Sequence, residues 1–203
     1  AGIVCVSEGL RDRLWWRSNE ALVLPLGADL EQFKPMDPGT CREELGIHDG
    51  AKLILFNANN PGVKRLDIAL EVERLVQQAG LNARLWKLEG RIPFDRMPLI
   101  VNAADVLLLC SDSEGSPSMV KEAMVCGLPV VCNDVGDTRE RLKGVRPGAV
   151  VTQEARVLAQ EVIAVLRDGR RSNGRDLARR NGCDAAETDA RLMAHLRTMP
   201  VHA

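Results

Sequence analysis

Two acidic side chains bracket a helix start in the segment Ser111-Asp112-Ser113-Glu114-Gly115-Ser116-Pro117-Ser118-Met119-Val120-Lys121-Glu122. Ser116 before Pro117 reads as a helix entrance, with serine as N-cap and proline at the first helical position. The amides of Ser118, Met119 and Val120 then point out of the helix end. With the helix dipole they suit an anion such as a diphosphate. Gly115 would let a ligand approach the backbone closely. Glu114 stands on the loop and Glu122 about five residues into the helix, roughly 7–8 Å along its axis. Ionised carboxylates accept paired hydrogen bonds from vicinal hydroxyls, so one acid could hold a sugar and the other a ribose. The same residues would also make an ordinary capped helix with two solvated acids.

A second loop, Asn57-Ala58-Asn59-Asn60-Pro61-Gly62-Val63-Lys64-Arg65, leaves an apolar run and enters a helical pattern. Cations at a helix N-terminus oppose its dipole, and a bound anion would reverse that cost. Lys64 and Arg65 are therefore phosphate-contact candidates, with two solvated basic residues as the alternative.

The elements that must position these loops follow from hydrophobic periodicity. Short apolar runs at Ile3–Val6, Ala21–Leu24, Lys52–Phe56, Arg84–Leu88, Val106–Leu109, Pro129–Cys132 and Ala149–Val151 read as strands. Helical spacing falls at Leu66–Ala79, Ser118–Cys126 and Leu158–Leu166, and at Leu177–Leu196 with a break near Gly182. This alternation predicts an α/β fold, a Rossmann-like doubly wound parallel sheet. Pro25 to Pro35 reads as a linker because proline and glycine punctuate it. The expected division is residues 1–24 as the tail of a preceding domain, 25–35 as linker, 36–183 as the compact unit and 184–203 as a C-terminal helical arm. The opening on Gly2-Ile3-Val4-Cys5-Val6 implies a start inside a larger protein.

Bulk composition excludes several classes. The 203 residues are 45% apolar and 27% charged, with a net charge of −1, which suits one domain with a real core. There is no basic block, Tyr is absent and aromatics are 3%, so no nucleic-acid partner is expected. The six cysteines form no Cys-x-x-Cys and the three histidines make no ligand cluster with them, so the expectation is reduced core thiols in a cytoplasmic protein and no metal site. The dinucleotide fingerprint and the Walker A loop are both missing.

Taken together, the two loops resemble the retaining glycosyltransferases of family 4, of GT-B fold. The likeness rests on Glu114-x7-Glu122 followed by Gly127-Leu128-Pro129-Val130-Val131 and Asp134-Val135-Gly136, on Lys64, and on the linker Pro25–Asp29 to Phe33-Lys34-Pro35. Val63–Asp67, Glu114–Pro117 and Lys121–Met124 are similar to the teichuronic-acid-biosynthesis type. The resemblance covers most of residues 3–170 and implies the C-terminal, donor-binding half of such an enzyme. It implies that Glu122 holds the ribose of a nucleoside-diphosphate sugar and that Glu114 contacts the donor sugar near the reacting carbon. Backbone from Gly115 through Ser116 and Pro117 to Ser118 would hold the diphosphate. Lys64 would neutralise leaving-group charge, and Gly90, Arg91 and Ile92 would border the base.

The resemblance also implies no cofactor and no metal, with a glycan or lipid-linked acceptor bound through an absent N-terminal domain. That domain would bring peripheral association with the inner face of the cell membrane. Two departures stand out. The family carries an arginine five positions before the lysine, where this chain has Asn59; Arg65 is the candidate substitute. A GT-B enzyme needs two such domains, and the tail helix near Arg191–Met199 would cross back to the other one. The chain is thus read as an enzyme's donor half, or alternatively as a truncated donor-binding module without activity of its own. A sugar-nucleotide epimerase of the same architecture is a third reading.

Overall fold

A computed structural model describes residues 2–198; Met199, in the expected tail helix, and residues 200–203 of the expected arm lie outside the described residues. Two parallel sheets form. The small one pairs β1 (Val4–Cys5) with β2 (Leu22–Val23), joined through α1 (Glu8–Asp12). After α2 (Pro38–Glu44) comes the main unit: β3 (Lys52–Asn57), α3 (Pro61–Lys64), α4 (Leu66–Gln78), β4 (Ala83–Leu88), α5 (Met97–Ala103) and β5 (Val106–Leu109). It continues through α6 (Ser118–Val125), β6 (Val130–Asn133), α7 (Thr138–Arg141), β7 (Gly148–Val151), α8 (Ala155–Asp168), α9 (Gly174–Leu177) and α10 (Ala185–Thr198). The main sheet is five-stranded, all parallel, in the order β4-β3-β5-β6-β7. Each of the seven expected strands is present with its ends within one residue of the expectation.

Strand alternation divides the core into two layers. Leu53, Leu55, Leu107, Leu109, Val130 and Cys132 face one side, where Val120, Ala123 and Met124 of α6 cover them. Ile54, Phe56, Val106, Leu108 and Val131 face the other, under Ile68, Ala69, Val72 and Val76 of α4 and Leu158, Ala159 and Val162 of α8. Runs that are apolar at every position are what a strand covered on both faces needs. Each fully buried Val or Leu contributes about 1.5–3 kcal/mol. All six cysteines are free and buried, and Cys110, Cys126, Cys132 and Cys183 lie in these layers; burial pushes the thiols of Cys110, Cys126 and Cys132 up to about 12.

The segment 25–35 is more than a spacer. Ala28 forms a parallel bridge with Asp184, and its N–H donates to Cys183 O at 2.8 Å. Phe33 is buried in the first layer and packs edge-on against Phe94. Helix α10 follows the same line: Thr188 Oγ1 donates to Pro25 O and Arg191 Nη2 to Val23 O. The helical pattern from Leu177 is broken more widely than expected. The chain turns between α9 and α10, with Gly182 at φ 64°.

Among the described residues no helix is long and apolar enough to cross a membrane.

Candidate functional site

The strand order fixes where a ligand can sit. From β3 the chain moves outward to β4, then returns past β3 to lay down β5, β6 and β7. The reversal opens a crevice beyond the carboxyl ends of β3 and β5, the usual ligand position in open α/β sheets. A cavity of about 150 Å³ lies there. Phe56 and Asn57 line it from β3, Leu109 and Ser111 from β5, and Lys64, Glu114, Pro117, Ser118 and Met119 from the two loops.

Lys64 and Glu114, fifty residues apart, meet in this cavity. Lys64 Nζ donates to Glu114 Oε1 at 2.5 Å, and Ser111 Oγ donates to the same oxygen at 2.8 Å. Both charged side chains are mostly shielded, 19% and 12% exposed. The loops that carry them are tied by backbone as well: Asp112 N–H donates to Val63 O at 2.9 Å.

Lys64 does not open a helix, as its place in the sequence suggested. It ends α3, a single turn bracketed by left-handed Asn60 (φ 59°) and Arg65 (φ 56°). A cation at a helix C-terminus is favoured by the dipole, so Lys64 carries no electrostatic cost that a ligand must relieve. Arg65, at the junction with α4, is engaged elsewhere. It grips Asp67 through two nitrogens and donates to Asp112 Oδ1 at 3.1 Å. Hydrogen bonding to Asp67, then to Asp112, holds its guanidinium above the ordinary arginine range.

Asn59 lies apart from the cavity lining. Its Oδ1 accepts from Gly90 N–H at 2.9 Å and its Nδ2 donates to Gly90 O at 3.3 Å. This two-way bond ties the β3 loop to the exit of β4. Gly90 sits there at φ 72°, Arg91 is exposed and Ile92 is half-buried against the first core layer. The segment expected to border a base is therefore held by the residue standing where the family has a phosphate-binding arginine.

The start of α6 corrects three local expectations. Pro117, not Ser116, is the N-cap, and no side chain caps the helix. Val120 N–H is already used by Pro117 O at 3.2 Å. The amides of Gly115, Ser116, Ser118 and Met119 find no acceptor among the described residues. Finally, the bare side of Gly115 faces protein rather than an open ligand path. A Cβ there would lie 2.8 Å from Leu10 Cδ1 and 3.0 Å from Val6 Cγ2, so this glycine admits the N-terminal segment.

Glu122 lies four residues beyond Ser118, on the same face of α6. It is half-buried, and no hydrogen bond to its carboxylate occurs among the described residues. Burial pushes its carboxyl up to about 7, with the ammonium of Lys121 opposing the shift. Glu122 stands outside the cavity lining, one helical turn beyond Ser118, which lines it, and an ionised carboxylate there can accept from a ligand's hydroxyls.

Sequence reasoning missed Ser111, which steadies Glu114, and the buried Lys121 and Asp137, which both bear on Ser116. For Lys121 a signal existed: it stands among Val120, Ala123 and Met124 on a helix that covers an apolar core layer.

The family described as "Glycosyl transferases group 1" matches residues 54–168. A D-inositol 3-phosphate glycosyltransferase of Geodermatophilus obscurus is 27% identical over 163 residues, which cover 64% of this chain and 36% of the relative. TuaC of Bacillus subtilis, a glycosyltransferase assigned to teichuronic acid biosynthesis, is 27% identical over 150 residues, 66% of this chain and 39% of the relative. The likeness to the teichuronic type is thus present among the relatives, at the same identity as the inositol-phosphate enzyme. The chain spans little more than a third of the length of either. Among solved structures, Anabaena Alr3699/HepE in complex with UDP-glucose aligns with a TM-score of 0.75 at 21% identity, over 98% of this chain and 64% of that one. The fold is that of one half of a GT-B glycosyltransferase.

Proposed function

This chain belongs to the group 1 glycosyl transferases, and from that premise we propose that it supplies the donor half of a retaining glycosyl-transfer site. The observation that carries the reading is the cavity at the β3/β5 crevice, where Lys64 and Glu114 meet beside the unbonded amides of α6. One cation and several N–H groups without an acceptor suit a diphosphate. Solved neighbours in complex with UDP and with UDP-glucose are consistent with a nucleotide-sugar donor.

In this reading Glu122 accepts from the ribose hydroxyls and Glu114 from hydroxyls of the donor sugar. Gly90, Arg91 and Ile92 border the base. As the bond from the anomeric carbon to the β-phosphate oxygen breaks, negative charge builds on the departing diphosphate. Lys64 and the amides of Gly115, Ser116 and Ser118 stabilise that charge where it develops. The acceptor hydroxyl forms the new bond on the same face of the sugar and passes its proton to the departing diphosphate. The acceptor, a glycan or lipid-linked molecule, is placed by the part of the enzyme that relatives possess beyond the matched third of their length. That part would carry any association with the cytoplasmic face of a membrane. No metal or other cofactor takes part.

The coverage of the relatives favours a second reading: the chain binds the donor without transferring from it. Titration with UDP-, GDP- and ADP-sugars, followed by assay for sugar release and transfer, separates the two. Turnover by the isolated chain defeats the binding-only reading. Binding without turnover defeats activity of this chain alone. Failure of every nucleotide sugar to bind defeats both.

A further inference from the structure

The loop before α6 owes its shape to a buried ionic cluster. Ser116 is 8% exposed and turns inward, away from the helix start. Its hydroxyl donates to Asp137 Oδ2 at 2.6 Å and accepts from Lys121 Nζ at 2.5 Å. The same ammonium donates to Ser116 O at 3.2 Å. Lys121 is wholly buried and Asp137 5% exposed. Arg141 Nε stands 3.3 Å from Asp137 Oδ2, and Arg141 is itself held by the carbonyls of Asn181 and Gly182.

A buried lysine is a poor device for stability alone, because desolvation opposes its charge and an apolar side chain would pack as well. Its geometry serves something else. By holding both the hydroxyl and the carbonyl of Ser116, Lys121 fixes the peptide entering Pro117 and keeps the hydroxyl off the helix. A serine one residue before a helix-opening proline is otherwise well placed to cap it, accepting from the amides of Ser118 or Met119. Those amides are the ones without an acceptor. A free Ser116 hydroxyl would compete with a ligand for them.

We propose that Lys121, acting through Ser116 and Asp137, is a positioning residue that keeps the helix-start amides of α6 open for the diphosphate of a nucleotide ligand. This rests on the donor-site reading above.

The test uses the full chain, with calorimetric titration of UDP against uridine, and of GDP and ADP against their nucleosides. Lys121→Met should weaken the diphosphate by about tenfold, the size of one lost charge-assisted hydrogen bond, and leave the nucleoside unchanged. Adding Ser116→Ala to Lys121→Met should recover most of that loss, because the competing hydroxyl is gone. A purely structural role would give no such recovery. Equal weakening of diphosphate and nucleoside, or a double variant no better than the single, overturns the proposal while leaving the donor reading intact. If no nucleoside diphosphate binds the unaltered chain, both fall. Should Lys121→Met lack a cooperative melting transition, Lys121→Gln keeps a buried donor and takes its place, with a smaller loss equally confined to the diphosphate.

Discussion

The ammonium of Lys64 and the carboxylate of Glu114 share a hydrogen bond of 2.5 Å across two loops that the sequence separates by fifty residues. The contact places the cation of the site through the chain's own residues. The bridge also satisfies one oxygen of a shielded carboxylate that, among the described residues, otherwise keeps only Ser111 as its partner.

Replacing Lys64 with methionine should therefore act twice. Affinity for a nucleoside diphosphate should fall by more than about tenfold, the loss of one charge-assisted contact to phosphate, while the nucleoside loses little. Thermal stability should fall as well, because a shielded carboxylate loses its cation. Calorimetry with UDP and uridine checks the first effect and melting without ligand the second. Equal losses for the two ligands would reject a phosphate contact.

Arg65 gives the opposite expectation. Its guanidinium is held by Asp67 and Asp112 on the outer side of the loop, and its backbone is left-handed at φ 56°. Surface ion pairs contribute little, and glycine adopts this left-handed backbone without the strain that a side chain brings. Arg65→Gly should leave stability nearly unchanged and diphosphate affinity within about twofold. A tenfold fall in UDP affinity would restore Arg65 as the phosphate cation in place of the family's arginine.

Asn59 should report on the base rather than the phosphate. Asn59→Ala removes both bonds to Gly90, each contributing about 1 kcal/mol. The exit of β4 should loosen, seen as faster hydrogen exchange at the Gly90 amide. Nucleoside and diphosphate should then weaken by the same factor. A loss confined to the diphosphate would mean that Asn59 faces phosphate after all.

The fold was legible because unbroken apolar runs such as Leu53–Phe56 and Val106–Leu109 have few other uses than strands covered on both faces. The crevice follows from strand order, and Lys64, Glu114 and Ser118 line it. What failed was local. Ser116-Pro117 has the form of a helix cap, but a lysine five residues on pulls the serine hydroxyl into the core, and no short-range rule weighs that tertiary competitor. Lys64-Arg65 reads as the start of one helix, but the chain breaks at a left-handed Arg65 that no glycine or asparagine announces. Gly115 looked like room for a ligand and is room for Val6 and Leu10, residues more than a hundred positions away.

Glu122 yields the prediction with a definite sign in pH. Burial raises its carboxyl from an ordinary 4.5 to about 7, so the folded chain holds a proton that the unfolded chain has lost. A raised folded pKa means that the contribution is fully present below about 4.5, shrinks as pH rises, and is gone above about 7. Glu122→Gln stays neutral throughout, so it should match the unaltered chain near pH 4.5. Above pH 7 it should be the more stable by about 2 kcal/mol, allowing for the partial exposure of the site. Binding runs the other way. Only the ionised carboxylate accepts from both hydroxyls of a ribose, so uridine, which carries no phosphate to titrate, should bind more tightly as pH rises from 6 to 8. Glu122→Gln should abolish that slope, and 2′-deoxyuridine should show a weaker one. A flat uridine profile in the unaltered chain, alongside a normal stability profile, would remove Glu122 from the ribose while leaving its burial intact.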